Sequence, residues 1–481
     1  MIASDADTIA AIATPIGEGG IAVIRVSGNG AIEIGAKLFQ PANGQNAAQF
    51  RGYSVHYGRI VSLVIADKSE TETIDDGLLT VFRAPHSYTG EDTIELSCHG
   101  GRVLSQRVLR ACLEAGARPA EPGEFTQRAF FNNKLDLAQA EAVADLIRAQ
   151  TDTSRRLARR QLEGGLSSHI AALRHDLIGI LASIEVTIDF SDEVGELDYD
   201  TLFTKIESVQ RRIEVLLATA ERGRILREGL RIAIIGKPNV GKSSLLNALL
   251  RTERAIVTPI AGTTRDTVEE SADIVGVPIV LVDTAGIRTT QDVIEQIGVD
   301  KSRAEVQIAD VILFVIDAVS GVTDEDQIAA QSLHNTASVR LVVALNKADL
   351  TAPDRIRALI GSVPTFFAEV IGIAPDSVLA VSAQTSVGLP ELEAALTFSA
   401  AIPDMQESAE TITVTLSRHR LALEAARDSL TIALSTVSQH LPGDFVAIDA
   451  RGALDSLGLI TGETVTDEIV HRIFSDFCVG K

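Results

Sequence analysis

Apolar and polar residues follow two different periods along the chain, and the changes of period predict its division into domains. Up to about residue 128, short apolar runs at 21–26 and 93–97 are separated by glycine-containing stretches, which is typical of strands and turns. Residues 103–113 have the pattern of a helix. The first part of the chain therefore predicts an α+β domain.

A helical period follows this domain. From Leu162 to Ile188 apolar residues recur every three or four positions, so a long helix is expected to pack one apolar stripe against other helices. The same period returns after Pro403, where Leu423 and Leu430 share a face. Residues 228–398 instead alternate strand and helix patterns, which predicts βαβ units and a parallel sheet.

The predicted fold class is therefore multidomain. We expect an N-terminal α+β domain at 1–128, an all-α helical domain formed by 129–227 and 399–481, and an α/β domain at 228–398 inserted between the two helical parts.

Composition narrows the function classes. The chain has 481 residues and a net charge of −22, which argues against a general nucleic-acid-coating protein, because phosphate binding requires positive surface. No apolar run approaches the roughly 18 residues of a membrane span, and the N-terminus lacks the basic region of a secretory signal. Cys98, Cys112 and Cys478 lie far apart, so we expect a reducing, cytoplasmic setting without a disulfide framework.

A phosphate-binding motif opens the inserted domain. The apolar run 232–235 is followed by residues 236–243, which fit the pattern G-x-x-x-x-G-K-[ST] in its required strand–loop–helix context. The glycines let backbone N–H groups approach phosphates, Lys242 supplies a cation to the β- and γ-phosphates, and Ser243 offers a hydroxyl to Mg²⁺. This pattern predicts a nucleotide site.

Two later strands end in further motifs. The run 280–282 leads into Asp283-Thr284-Ala285-Gly286, where Asp283 would hold Mg²⁺ through water and the Gly286 amide would sense the γ-phosphate. The run 341–345 leads into Asn346-Lys347-Ala348-Asp349, which resembles the N-K-x-D motif of small GTP-binding proteins. In that family the aspartate pairs with guanine, so the resemblance implies GTP as the nucleotide.

The first switch and the base-backing loop complete the predicted site. Thr264 is expected to join Ser243 in the Mg²⁺ shell, and Ser382-Ala383-Gln384 stands where the family has S-A-K, with Gln in place of Lys. The predicted GTP-binding residues are Asn239, Val240, Gly241, Lys242, Ser243, Ser244, Thr258, Pro259, Ile260, Ala261, Gly262, Thr263, Thr264, Asp283, Thr284, Ala285, Gly286, Asn346, Lys347, Ala348, Asp349, Ser382, Ala383 and Gln384.

The residue after Gly286 sets a problem for hydrolysis. Ras-like proteins have a glutamine there to orient the attacking water, but this chain has Ile287, which cannot hydrogen-bond water. At this point the chain resembles the MnmE (TrmE) family of tRNA-modification GTPases. The resemblance implies a K⁺ ion that takes the place of an arginine finger, and a second-switch glutamate, matched by Glu295, that orients the water. The implied K⁺ ligands are Asn239, Thr258, Ile260 and Thr263. Arg265 and Arg288 remain alternative charge donors.

The resemblance extends to both ends of the chain. Residues 13–20, 88–92, 122–129 and 133–141 look like family motifs. The family's N-terminal module is similar to folate-binding domains, and its ligands for 5-formyl- or methylene-tetrahydrofolate match Arg25, Glu95, Lys134 and Lys481. The family ends in F-C-[IV]-G-K, and Cys478 of the terminal Phe477–Lys481 matches its catalytic thiol. That segment follows a helix whose start we expect at the capping pattern Thr464–Asp467.

The family membership implies a K⁺-activated, Mg²⁺-dependent GTP hydrolase that is a homodimer. It would act with an FAD-dependent MnmG-like partner, in a heterotetramer, on C5 of the wobble uridine of certain tRNAs. The implied product is the aminomethyl or carboxymethylaminomethyl form; the folate provides the one-carbon unit, and FAD and NADH belong to the partner.

Two other classes remain as alternatives. A ribosome-assembly GTPase of the Era type would need a KH-like domain with a basic G-x-x-G signature after the G domain. A septin- or dynamin-like protein would need a basic lipid-facing surface, and no membrane association is expected of this acidic chain.

Overall fold

The computed structural model describes residues 7–15, 17–63, 71–190, 195, 197–252, 270–282, 308–333, 339–398 and 412–481. The chain forms two compact units. The first comprises Met1–Ile147, Gln161–Glu207 and Asp428–Lys481, and the second comprises Arg148–Arg160 and Ser208–Arg427. No helix of the described residues is long and apolar enough to cross a membrane.

A seven-stranded sheet forms the N-terminal part of the first unit. Its strands are β1 (Ile9–Ile12), β2 (Ile21–Ser27), β3 (Phe39–Pro41), β4 (Ser54–Val61), β5 (Thr73–Phe82), β6 (Thr93–His99) and β7 (Arg118–Pro119), in the order β3-β4-β5-β6-β2-β1-β7. All neighbours are antiparallel except β1 and β7. Helices α1 (Ala31–Leu38) and α2 (Arg102–Glu114) share one hydrophobic core with this sheet. The predicted strands, helix and α+β class are confirmed.

Helices make up the rest of the first unit, and several of them cross the division between the units. They are α3 (Glu124–Phe131), α4 (Leu137–Arg148), α5 (Asp152–Leu162), α6 (Gly165–Asp189), α7 (Tyr199–Leu217), α8 (Ala220–Glu228, in the second unit), and, near the C-terminus, α13 (Ser417–Ser438), α14 (Gly443–Thr461) and α15 (Asp467–Ser475). Within the first unit, α6 packs against α14.

Two helix boundaries differ from the prediction. Leu162 ends α5 and is not part of α6, because Gly164 has a left-handed φ of 86° and separates the two helices. The C-terminal helix begins at Asp467 and not after Thr464, whose hydroxyl donates to the carbonyl of Asp455 instead of capping the helix.

The second unit contains a parallel sheet covered by helices. Its strands are β8 (Leu230–Ile235), β9 (Glu270–Ile274), β10 (Val277–Val282), β11 (Val311–Asp317), β12 (Arg340–Asn346) and β13 (Ser377–Ala380), in the order β13-β12-β11-β8-β10-β9. Only β9 is antiparallel to its neighbour. The helices are α9 (Lys242–Thr252), α10 (Asp324–Gln331), α11 (Pro353–Ile371) and α12 (Leu389–Thr397). Separate cores, with Leu313 in one and Phe314 in the other, cover the two faces of the sheet, as expected of a βαβ fold.

A buried ion network fixes α3 to the N-terminal sheet. Arg118 donates to both oxygens of the Glu124 carboxylate, and Arg128 donates to Asp7, Glu91 and Glu124. Glu124 and Arg128 are buried. Burial alone raises the pKa of Glu124, but hydrogen bonds from Arg118, from the Glu121 amide and from Arg128 outweigh it and lower that pKa.

Replacing Glu124 with Gln is expected to lower the free energy of unfolding of the first unit at pH 7 by about 1–3 kcal/mol. Because the folded-state pKa lies below the ordinary value of 4.5, the contribution of the carboxylate is present above pH 4.5 and is lost as the pH falls through the folded-state pKa. The difference between Glu124→Gln and the unsubstituted chain should therefore shrink in acid.

Urea unfolding followed by tyrosine fluorescence measures this effect. All four tyrosines lie in the first unit and the chain has no tryptophan, so the signal reports on that unit. Glu33→Gln, which breaks an exposed ion pair with Lys37 on α1, is the matched control and should change little. A stability difference that stayed constant from pH 7 to pH 3 would contradict the assignment.

Candidate functional site

The loop between β8 and α9 has the backbone geometry of a phosphate loop. Gly236, Asn239 and Gly241 have left-handed φ values of 149°, 62° and 95°. A Cβ at Gly236 would overlap the carbonyl of Val315, and one at Gly241 would overlap the side-chain amide of Asn346, so glycine is required at both positions. The predicted strand–loop–helix context of the motif is confirmed.

Two motif residues lie in the first turn of α9. Lys242 extends back over the loop, and its Nζ donates to the carbonyls of Gly236 at 2.6 Å and Lys237 at 2.8 Å. Ser243 is partly exposed beside it, and Ser244 is exposed. The N-terminus of α9 adds unpaired N–H groups and the positive end of the helix dipole, so this end of the loop favours an anion.

The end of β12 holds the other half of the loop. The side-chain amide of Asn346, which is 2% exposed, donates to the Val240 carbonyl at 2.9 Å, and its Oδ1 accepts from the Ala383 amide at 3.1 Å. Lys347 donates to the Asn239 carbonyl at 3.0 Å. These bonds bring three motifs that are far apart in sequence to one place.

Sequence reasoning missed the role of Asp317, the last residue of β11. Its Oδ2 accepts from Lys347 Nζ at 2.7 Å. Burial raises its pKa, but the bonds from Lys347 and from backbone amides outweigh burial and lower it. The available signal was its position at the carboxyl end of a strand next to β8 and β12.

The predicted base-recognition residues lie next to Asn346. Asp349 is exposed in the single 3₁₀ turn Ala348–Leu350, and the Ala348 amide donates to the Val381 carbonyl at 3.0 Å. Ser382 is fully buried and accepts from the Thr385 amide, which shapes the loop, while Gln384 is exposed.

The remaining predicted nucleotide-site residues lie outside the described residues. They are Thr258, Pro259, Ile260, Ala261, Gly262, Thr263, Thr264, Asp283, Thr284, Ala285, Gly286 and Glu295, together with Ile287 and the alternative charge donors Arg265 and Arg288.

In the first unit, Arg25 and Glu95 form a cross-strand ion pair. They stand directly opposite each other on β2 and β6, and Arg25 Nε and Nη2 both reach Glu95 Oε1, at 2.9 and 2.8 Å. Within the described part of the chain, Glu95 Oε2 has no hydrogen-bond donor. The pair thus offers a free carboxylate oxygen to a ligand that carries N–H groups.

Aromatic rings hold the Arg25 guanidinium in place. It lies 5.6 Å from the ring centre of Tyr88 and 5.7 Å from that of Phe125, which is fully buried at the start of α3. Tyr88 bonds Thr126 of the same helix at 2.9 Å, and burial raises the pKa of its hydroxyl. Tyr88 and Phe125 lie in two of the sequence motifs, but the sequence did not indicate this contact.

The structure brings both predicted lysines to this place. Lys134 donates to the Pro85 carbonyl at 3.2 Å, on the loop that carries Tyr88. Burial lowers the pKa of Lys481, the positive charge of Arg25 lowers it further, and the charge of Glu95 opposes them. The four predicted folate ligands therefore surround one loop.

The C-terminal segment is packed onto the first unit. The Gly123 amide approaches the Cys478 carbonyl at 3.4 Å, and a Cβ at Gly480 would overlap the carbonyl of Ile12. The Cys478 thiol is free and exposed, and its charge acts on Lys481. Cys98 and Cys112, predicted to be core thiols, are buried, and burial raises their pKa values to about 11 and about 12.

Two family models together match most of the chain. The model described as the MnmE helical domain matches residues 137–478, and the model described as the GTP-binding protein TrmE N-terminus matches residues 8–134. The chain is 45% identical to the tRNA modification GTPase MnmE of Desulforamulus reducens and 46% identical to that of Carboxydothermus hydrogenoformans, in each case over 99% of both chains.

Among solved structures, Aquifex aeolicus Era bound to GDP.AlF4- is 30% identical over 42% of this chain and 67% of its own, with a TM-score of 0.29, which carries no argument about function. The two family models and the full-length relatives decide the assignment over the Era-type and septin- or dynamin-like alternatives. The chain belongs to the MnmE (TrmE) family of tRNA modification GTPases.

Proposed function

We propose that this chain hydrolyses GTP and couples hydrolysis to the modification of C5 of the wobble uridine in certain tRNAs. The observation that carries the first part is the bonding of Asn346 and Lys347 to the carbonyls of Val240 and Asn239. A guanine-reading motif held against a phosphate loop places base recognition and phosphate recognition at one nucleotide's length. Full-length relatives named tRNA modification GTPases support the second part.

In the nucleotide site, Lys242 would leave the Gly236 and Lys237 carbonyls and turn to the β- and γ-phosphates. Ser243 at the start of α9, with Thr264, would hold Mg²⁺, and Asp349 would select guanine. The list of GTP-contacting residues given above is part of this proposal.

We assign the K⁺ site to Asn239 with Thr258, Ile260 and Thr263. The exposed side chain of Asn239 supports this, since its φ of 62° turns it out of the loop while Lys347 bonds its carbonyl. A bound cation there supplies positive charge near the γ-phosphate. Glu295 would orient the attacking water.

The first unit would bind 5-formyl- or methylene-tetrahydrofolate. Glu95 Oε2 can accept from the pterin N–H groups, while Arg25, Lys134 and Lys481 supply the positive charge that a folate tail requires. Cys478 would be the catalytic thiol, and its packing beside Lys481 places it next to these ligands.

We further propose a homodimer and a heterotetramer with an FAD-dependent MnmG-like partner, to which FAD and NADH belong. Exposed apolar side chains on one face of the N-terminal sheet support self-association: Val55 and Tyr57 on β4, and Leu78 opposite Tyr57 on β5, are 60%, 61% and 40% exposed. Three free cysteines fit a cytoplasmic location.

The domain bounds 1–128, 129–227, 228–398 and 399–481 are part of the proposal. The two family models, which meet between residues 134 and 137, support a boundary near the first of them.

GTP turnover is expected to be faster in KCl than in NaCl, by on the order of tenfold or more, because a fixed cation stabilises the developing charge. Asn239→Gly should abolish the difference, and glycine accepts the left-handed φ of this position without strain. Steady-state phosphate release in the two salts measures it. Equal rates for the unsubstituted chain would remove the potassium assignment.

Glu95→Gln is expected to weaken binding of 5-formyl-tetrahydrofolate by roughly 10- to 100-fold, because a charge-assisted hydrogen bond to the ligand is lost. Isothermal titration calorimetry measures the dissociation constant. Asp76→Asn is the matched control, since Asp76 opposes Arg59 across β4 and β5 in the same sheet but is exposed. Equal affinity of Glu95→Gln and Asp76→Asn would refute the site.

Cys478→Ser is expected to abolish wobble-uridine modification in cells while GTP hydrolysis by the purified protein continues, because a hydroxyl is a far weaker nucleophile than a thiol. Mass analysis of tRNA nucleosides provides the measurement. Cys98→Ala removes a thiol from the core and serves as the control. Normal modification with Cys478→Ser would exclude a catalytic role for that thiol.

A further inference from the structure

Lys237 is a variable position of the phosphate-loop pattern, and the proposed chemistry gives it no role. Its side chain nevertheless points away from solvent and is 10% exposed. Nζ donates to Ser320 Oγ at 3.2 Å, Thr323 Oγ1 at 2.9 Å and Asp326 Oδ2 at 3.0 Å. All three acceptors belong to the segment between β11 and the first turn of α10.

Asp326 depends on this lysine for its charge balance. Its side chain is 0% exposed, and its Oδ2 also accepts from the Thr323 amide at 2.9 Å and the Thr323 hydroxyl at 2.8 Å in the capping box of α10. Its Oδ1 is buried without a partner. Lys237 is the sole cation that pairs with Asp326 among the residues that the structure describes, so loss of Lys237 would leave an uncompensated buried carboxylate.

The tether acts on the half of the loop that has the weaker support. Asn346 and Lys347 bond the carbonyls of Val240 and Asn239, in the second half of the loop. The carbonyls of the first half, at Gly236 and Lys237, are bonded by Lys242.

Lys242 is also the residue expected to turn to the phosphates when a nucleotide binds. The first half then loses both of these bonds. The ion pair of Lys237 with Asp326 does not involve Lys242, so it persists.

We infer that Lys237 is a positioning residue: its ion pair with Asp326 holds the first half of the phosphate loop in the nucleotide-binding geometry. This inference rests on the proposed binding of GTP in that loop. GTP and GDP use the same loop for their shared phosphates, so the tether serves both. It touches neither the γ-phosphate nor the attacking water, so it affects affinity and not the rate of the bound state.

The test separates positioning from stability by comparing one-sided and two-sided removal of the ion pair. Lys237→Met keeps the length of the side chain but leaves Asp326 unpaired, whereas Lys237→Met combined with Asp326→Leu removes both charges. Dissociation constants for fluorescent GTP and GDP analogues, thermal unfolding and turnover at saturating GTP are measured on the full chain.

Lys237→Met is expected to lower the unfolding temperature and to weaken both nucleotides by roughly tenfold or more, with turnover at saturating GTP within about threefold of the unsubstituted chain. The double variant should recover unfolding temperature because no buried charge is left unpaired, yet its affinity should stay low because the tether is still missing. Lys237→Arg, which keeps the charge, should retain affinity.

Arg224→Met is the matched control. Arg224 forms a half-buried ion pair with Asp310 at 2.6 Å in the same unit, near the start of β8 and β11, at the opposite end of these strands from the phosphate loop. Its loss should lower the unfolding temperature without changing nucleotide affinity.

Three results would overturn the inference: unchanged affinity in Lys237→Met, affinity restored in the double variant, or an equal loss of affinity in Arg224→Met. Each of these leaves the proposed function intact. If the unsubstituted chain bound neither guanine nucleotide, the proposed function would itself be wrong, and the inference with it.

Discussion

The second unit depends on one constraint, which is that the carbonyl groups of the phosphate loop must be bonded from outside so that its N–H groups remain for phosphates. Side chains meet this requirement at four positions: Lys242 bonds the carbonyls of Gly236 and Lys237, Lys347 bonds that of Asn239, and Asn346 bonds that of Val240. A loop with three left-handed residues has no regular backbone partner, so these bonds replace a hydrogen-bond ladder.

Sheet topology makes these bonds possible. Strands β8, β11 and β12 are parallel neighbours, so their carboxyl ends meet at one edge and present the phosphate loop, Asp317 and Asn346 together. Lys347 then bridges two of these ends, because it bonds both Asp317 and the loop. The buried apolar strands position the polar site without contributing any polar atom of their own interior to it.

The first unit solves a similar problem with charge. The Arg25–Glu95 pair follows from the register of β2 and β6, and Tyr88 and Phe125 fix the plane of the guanidinium. Phe125 in turn is placed by α3, which the Arg118–Glu124 ion pair attaches to the sheet. A motif around residues 122–129 thus contributes mostly support to the proposed folate site, and the ligands come from elsewhere in the chain.

The sequence by itself determined the classes of the domains, the phosphate loop and the motif Asn346–Asp349, because hydrophobic period and short motifs are local properties of a chain. It placed the helix start at Thr464 wrongly, since the hydroxyl found a tertiary partner in Asp455. Only the tertiary structure decided that Asp317 supports Lys347, that Phe125 lies under Arg25, and that Lys237 is paired with Asp326. The residues of each pair lie at least 30 positions apart, except where Lys237 is further still, at 89 from Asp326, and no local pattern encodes which strand ends and helix starts will meet.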